Sequence, residues 1–139
     1  MAFAGALLLS TLSGCVCGMI GTKVDYIGDH LEEAPNLLAY QREYYFPAGA
    51  TKYRIIGRTN AFCWECQCSE ADFLKFAESH WHFNKVSKGE SKKLWWLMDK
   101  TITCPAPYYF FESRGSNGGG VTMCYCISTQ TLYGNYSDH

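Results

Sequence analysis

The sequence predicts an α+β domain in which one main amphipathic helix packs on a small antiparallel sheet that disulfide bonds stabilise. Strand-like segments rich in β-branched and aromatic residues precede and follow a single strongly helical segment, an order typical of α+β proteins. Eight cysteines occur in 139 residues, a density typical of small proteins from oxidising compartments. The length suits one domain with a hydrophobic core of its own.

The first half of the domain is predicted to contain a short helix followed by two strands. Pro35 suits the first position of a helix that continues to Tyr45. Residues 47–49, Pro-Ala-Gly, then interrupt the chain. From Lys52 to Cys68 apolar and polar residues partly alternate, which predicts two strands with a turn near residues 57–60.

The main helix is predicted to begin directly after Ser69. The Ser69 side chain can cap the first turn, and Asp72 occupies the position of the capping-box acid. Apolar residues then recur at helical spacing along one face: Phe73, Phe76, Ala77 and Trp81. This pattern predicts an amphipathic helix that packs on the sheet.

The last part of the chain is predicted to be mainly β-structure. Residues 84–93 are polar and rich in lysine, and we expect a surface loop there. The apolar run 94–98 fits either a helix or a strand. Strands are expected at 108–112, 121–128 and 131–136, with a Gly-rich hairpin loop at 113–120.

An uncharged apolar segment, Ala2–Leu12, lies at the N-terminus. Its length of about eleven residues is typical of a signal peptide, whereas a membrane-spanning helix needs about twenty. The sequence Leu12-Ser13-Gly14-Cys15 resembles the lipobox of bacterial lipoproteins. That resemblance implies a signal peptide at residues 1–14, cleavage before Cys15, and lipid, including an acyl group such as palmitate, on Cys15. Two other interpretations are an ordinary secretory signal and a buried apolar element with Cys15 as a structural thiol.

The expected organisation is a signal peptide at residues 1–14, a tether at 15–34 and a single globular domain at 35–139. Residues 46–50 and 69–73 resemble small exported bacterial proteins of unknown function, and this resemblance implies no activity.

Twelve basic and thirteen acidic residues are interspersed and give a net charge of −1, so we expect no nucleic-acid partner. The expected partners are a membrane, through lipid on Cys15, and an envelope protein of unknown identity.

Six cysteines are candidates for disulfide bonds if Cys15 carries lipid and Cys17 is left over: Cys63, Cys66, Cys68, Cys104, Cys124 and Cys126. Four of them form two CxC units, and residues two apart on a strand share a face. If the two strands approach each other, the units could form two disulfides across the sheet. They could equally gather four thiolates around Zn²⁺.

The segment Cys63-Trp64-Glu65-Cys66 has the CxxC spacing of a thiol–disulfide redox centre. Such a centre normally lies at a helix N-terminus, where the helix dipole stabilises a thiolate. On a strand, Cys63 and Cys66 would instead point to opposite faces. A thiol–disulfide oxidoreductase is therefore an alternative function.

Two further groups of side chains invite functional interpretations. His80 and His82 would stand about 200° apart on a helix, which opposes a joint metal site. Trp95-Trp96 and the aromatic run 108–111 could stack flat ligands, although such residues more often pack in a core.

We predict no catalytic residue, no metal and no cofactor. The expected function is that of a lipid-anchored envelope protein acting as a non-catalytic binding or structural module, with a Cys-ligated zinc protein as a further alternative.

Overall fold

Most of the regular structure is antiparallel sheet: of the residues that the structure describes, 45% lie in strands and 19% in helices. The computed structural model describes residues 21–96 and 100–138. The strands are β1 (Tyr26–Gly28), β2 (Thr51–Arg58), β3 (Ala61–Gln67), β4 (Asn84–Val86), β5 (Lys92–Trp96), β6 (Lys100–Cys104), β7 (Tyr108–Arg114), β8 (Gly120–Cys126) and β9 (Thr131–Ser137). The helices are a 3-10 turn (Leu31–Glu33), α1 (Ala39–Tyr45) and α2 (Glu70–His80).

Seven strands form the main sheet in the order β1-β2-β3-β9-β8-β7-β4, and every neighbouring pair is antiparallel. The strands β5 and β6 form a separate hairpin. The predicted turn near residues 57–60 joins β2 to β3, and the predicted Gly-rich loop joins β7 to β8. The predicted loop at 84–93 is partly wrong, because its two ends pair as strands: β4 with β7, and the start of β5 with β6.

Both helices lie on the same face of the main sheet. The helix α2 begins as predicted, because the Ser69 Oγ accepts a hydrogen bond from the Asp72 backbone N–H at 3.1 Å. Phe73 on this helix stacks on Tyr125 of β8, with ring centroids 4.2 Å apart. The ring of Tyr45 in α1 lies 5.2 Å from Trp64 of β3. The expectation of one main helix is not confirmed, because α1 and α2 both contribute buried aromatic side chains to this core.

The helix α1 begins four residues later than Pro35. Asn36 adopts a φ of 61°, a left-handed conformation that an α-helix cannot continue through. The first turn forms only after Leu38, whose backbone N–H donates to the Gln41 side-chain oxygen at 3.1 Å. A helix start at Pro35 is therefore wrong.

The core beneath the helices depends on one glycine. Trp64 of β3 is fully buried and is paired with Gly134 of β9. A Cβ added at Gly134 would overlap the indole ring of Trp64. The absence of a side chain at Gly134 therefore lets the largest core residue lie flat against the sheet.

The opposite face of the main sheet is covered in part by the β5–β6 hairpin. Leu94 of this hairpin packs with Tyr108 of β7 and with Cys124 and Cys126 of β8 in a second, smaller core. The strand β8 is therefore buried on both faces from Met123 to Cys126, whereas its first half alternates between buried and half-buried residues. The protein is three layers thick at this point.

The chain joins the sheet before the position predicted from the sequence. Val24 is fully buried, and its backbone N–H donates to the Gly57 carbonyl oxygen at 3.0 Å. The strand β1 then pairs with β2. The part of the predicted 15–34 tether that the structure describes is thus part of the domain, because its apolar side chains help to close the core.

The predicted signal peptide, the lipobox, Cys15 and Cys17 lie outside the described residues. Among the helices that are described, none is long and apolar enough to cross a membrane.

Candidate functional site

A disulfide bond joins the β5–β6 hairpin to the main sheet. It links Cys104, the last residue of β6, to Cys126, the last residue of β8, with Cα atoms 5.7 Å apart. Both residues are buried. The backbone already joins the hairpin to β7 through residues 105–107, and this bond adds a cross-link between the end of the hairpin and β8 in the layer beneath.

Cys124 places a third sulfur atom beside this disulfide. Cys124 and Cys126 lie two residues apart on β8 and therefore share the face that the hairpin covers. The Sγ atoms of Cys104, Cys124 and Cys126 all lie within 4.8 Å of one another. We call these three residues the cysteine cluster.

The Cys124 thiol is free and fully buried. Burial raises its pKa to about 12, and the positive charge of Lys92 acts in the opposite direction. A thiol with this pKa is protonated at neutral pH and is a poor nucleophile there. The cluster is therefore unsuited to rapid thiol–disulfide exchange in its resting state.

The surroundings of the cluster are apolar and aromatic, with one cation at the edge. The Nζ atom of Lys92 lies 3.9 Å from the centroid of the Phe110 ring, a cation–π contact. The apolar residues packed around the three cysteines are Val86, Leu94, Ala106, Tyr108, Phe110 and Tyr133. Electrostatic interactions within this compartment are therefore stronger than in water, because the local dielectric constant is low.

A cavity of about 140 Å³ adjoins the cluster between the hairpin and the sheet. Lys92, Leu94 and Phe110 line both the cavity and the surroundings of the cluster. Glu112 and Arg114 lie at its outer end and form an exposed ion pair with a 3.8 Å separation. Neighbours of the cluster therefore line this cavity, whereas none of the three cysteines does.

The two CxC units do not meet. Cys66 and Cys68 lie in the core beneath the helices, whereas Cys124 and Cys126 lie in the core beneath the hairpin. The strand β9 also separates their strands. Disulfides between the units, or one zinc ion held by all four sulfur atoms, are therefore excluded by this fold.

The CxxC motif is divided between the two faces of β3. Cys66 is fully buried beneath the helices, and Cys63 is half-exposed on the other face. Burial raises the pKa of the Cys66 thiol well above its ordinary value. A disulfide within this motif would require β3 to leave the sheet.

The histidines and aromatic runs singled out from the sequence do not assemble a site. His80 ends α2 and its ring lies 4.7 Å from Tyr44, while His82 lies beyond the helix. In the run 108–111, Tyr109 belongs to the core beneath the helices, and Tyr108 belongs to the core beneath the hairpin. The side chains of Trp95 and Trp96 lie outside the described part of the structure.

A larger groove of about 440 Å³ lies on the helical side, between α1 and α2. Its charged residues are of both signs, with Arg42 and Glu43 on α1 facing Asp72 and Lys75 on α2. The Arg42 guanidinium already donates to the Ala34 carbonyl oxygen at 3.1 Å. The groove therefore presents no single charge to a ligand, and the cysteine cluster is the more specific candidate site.

The sequence contains one local signal near this cluster. Cys104 stands immediately before a Pro-Ala-Pro segment, and a residue that precedes proline favours the extended backbone found at the end of β6. Lys92 and Cys104 are paired across the hairpin, so the cation and the Cys104 sulfur atom of the cluster come from the same hairpin. Only the pairing of β5 with β6 reveals this.

No protein-family model, no curated protein and no solved structure matches this chain.

Proposed function

We propose that the protein is an exported, lipid-anchored component of the bacterial cell envelope that acts as a non-catalytic binding or structural module. The observation that carries the proposal is the disulfide between Cys104 and Cys126, which fastens the hairpin to the sheet. Structural disulfides are typical of proteins from oxidising compartments. The presence of such a disulfide agrees with the exported location that the lipobox-like sequence implies.

The burial of the other sulfur atoms supports a structural role for the domain. Cys66, Cys68 and Cys124 are buried, and burial raises the pKa of each thiol. Reactive cysteines need an exposed, electropositive setting that lowers the pKa. The division of Cys63 and Cys66 between two faces removes the geometric support for an oxidoreductase that uses this motif.

A lipid on Cys15 would hold the domain close to the membrane. The Gly21 carbonyl oxygen already accepts a hydrogen bond from the Arg58 guanidinium at 2.7 Å. Six residue steps separate Cys15 from Gly21, and fully extended chain spans at most about 3.6 Å per residue. Gly21, where the domain begins, would therefore lie within about 22 Å of the lipidated cysteine, which would keep the domain near other envelope components.

The intact mass of the protein extracted from membranes tests this proposal. We expect a chain that begins at Cys15, carries lipid and gains two hydrogen masses on reduction for each disulfide. The variant Cys15→Ser should remain unprocessed and unlipidated. The variant Cys17→Ser, two residues away, should be processed like the wild type. An unprocessed chain that begins at Met1 without lipid would overturn the proposal.

A further inference from the structure

The three sulfur atoms of the cysteine cluster lie close enough together for one metal ion to reach all of them once the disulfide is open. Zinc–sulfur bonds measure about 2.3 Å, so the sulfur atoms of a tetrahedral zinc site lie about 3.8 Å apart. Those of Cys104, Cys124 and Cys126 lie within 4.8 Å of one another. Small side-chain rotations would bring them to coordinating distance once the disulfide is open.

The number and charge of the available ligands favour a divalent ion. Three thiolates with one divalent ion leave a net charge of −1, and the Lys92 ammonium beside Phe110 can offset it. A monovalent ion such as Cu(I) would leave a net charge of −2 in an apolar compartment, which burial disfavours. Thiolates are preferred ligands of zinc.

The fourth position of such a site is open. Within the described residues, the cluster contains no carboxylate or imidazole. The cavity of about 140 Å³ shares Lys92, Leu94 and Phe110 with the surroundings of the cluster, but its lining includes none of the three cysteines. Water or a small anionic ligand would complete the coordination, as in zinc sites with three protein ligands.

We propose that Cys104, Cys124 and Cys126, once reduced, form a three-thiolate site for Zn²⁺ whose fourth ligand is water or a small anion. A dithiol reductant opens the Cys104–Cys126 disulfide, giving two thiols, and is itself oxidised to a disulfide. Zn²⁺ then replaces the three thiol protons, which pass to solvent. The disulfide and the metal exclude each other, so the redox state of the compartment decides which of them holds the hairpin to the sheet.

A titration of the full-length protein with Co²⁺ and Zn²⁺ tests the proposal. The chain is first reduced under nitrogen with a water-soluble phosphine, which is oxidised to its phosphine oxide with water supplying the oxygen and the two protons. We expect one Co²⁺ per reduced chain, with sulfur-to-cobalt charge-transfer absorption that Zn²⁺ abolishes. The oxidised chain should show neither.

Matched variants locate the site. Cys124→Ala, which leaves the disulfide partners in place, should weaken zinc binding by at least about 100-fold, since even the loss of an outer-shell group costs 10–100-fold. Cys63→Ser, on the same face of the sheet but outside the cluster, should bind Zn²⁺ as the wild type does. In reduced wild-type protein, Zn²⁺ should protect Cys104, Cys124 and Cys126 from alkylation, and this can be mapped by peptide mass without any variant.

The proposal would be overturned by a reduced, folded chain that binds no metal, by equal binding by the oxidised chain, by equal binding by Cys124→Ala, or by protection of cysteines other than these three. The proposal would also fail if reduction abolished the near-ultraviolet circular dichroism of the aromatic core and Zn²⁺ did not restore it. In that case the fold that holds the three cysteines together would be lost when the disulfide opens. None of these results bears on the lipid anchor, so the envelope proposal stands or falls separately.

Discussion

Reduction of the Cys104–Cys126 disulfide should lower the free energy of unfolding without unfolding the protein. The bond closes a loop with a sequence separation of 22. The loss of chain entropy in the unfolded state for a loop of that length corresponds to about 3 kcal/mol at 25 °C. Domains of this size are stable by about 5–15 kcal/mol, so the reduced protein should stay folded in neutral buffer.

Urea unfolding followed by tryptophan fluorescence measures this loss. With a slope of about 1–3 kcal/mol per molar urea, the midpoint should fall by about 1–3 M on reduction. Because the oxidised and reduced chains have the same sequence, the difference isolates the covalent bond from side-chain packing.

Two variants show whether the effect belongs to this bond. In Cys104→Ala/Cys126→Ala the reductant should have no effect on the midpoint. In Cys124→Ala, which keeps the bond, the shift should match that of the wild type. A wild-type change below about 0.5 kcal/mol, the scatter expected of surface effects, would show that the bond does not stabilise the fold in this way. So would an equal shift in the double variant.

Three further predictions concern the helix start, the core and alkaline pH. Ser69→Ala removes the cap of α2 and should lower the free energy of unfolding in urea by about 1 kcal/mol. Its control, Ser79→Ala on the exposed side of the same helix, should lower it by less than about 0.5 kcal/mol. Gly134→Ala drives a methyl group into Trp64 and should cost about 1–3 kcal/mol with a change in tryptophan fluorescence. Burial raises the pKa of Tyr125 above its ordinary value of 10.0. Its contribution to stability is therefore complete below about pH 10 and is lost as the pH rises toward the folded-state pKa, so Tyr125→Phe should make the alkaline decline of the unfolding midpoint shallower.

Each of these predictions has a contrary result. Equal losses for Ser69→Ala and Ser79→Ala would mean that the Ser69 cap does not hold the helix start. A wild-type thermal midpoint for Gly134→Ala would mean that Trp64 has room to move. An alkaline decline of the same slope with and without the Tyr125 hydroxyl would mean that this phenol ionises alike in the folded and unfolded chain.

Local sequence signals predicted the elements well where one physical rule dominated. The helix α2 follows Ser69 as predicted, because a cap and an apolar stripe at helical spacing act within a few residues. The alternation in β3 correctly placed Cys63 and Cys66 on opposite faces. The helix start at Pro35 failed because the left-handed Asn36 intervenes, a conformation with no strong sequence signature.

The candidate site was predictable only in its chemistry. Cysteine spacing indicated disulfides or a thiolate metal site, and it correctly implied that Cys124 and Cys126 share a face. It could not show that Cys104 would be their partner, or that the other CxC unit lies on the far side of the sheet. Those facts depend on pairings between strands that are distant in sequence, such as β8 with β9 and β9 with β3.

The antiparallel sheet with helices, the capped start of α2 and a cysteine density typical of oxidising compartments can all be inferred from the sequence alone. Which sulfur atoms lie together depends on the tertiary fold. A strand's alternation fixes which residues share a face, because side chains point to either side in turn. It does not fix what covers that face. The β5–β6 hairpin packs on one face of the sheet and the helices pack on the other. Cys104 therefore lies beside Cys124 and Cys126, whereas Cys66 and Cys68 lie in a separate core.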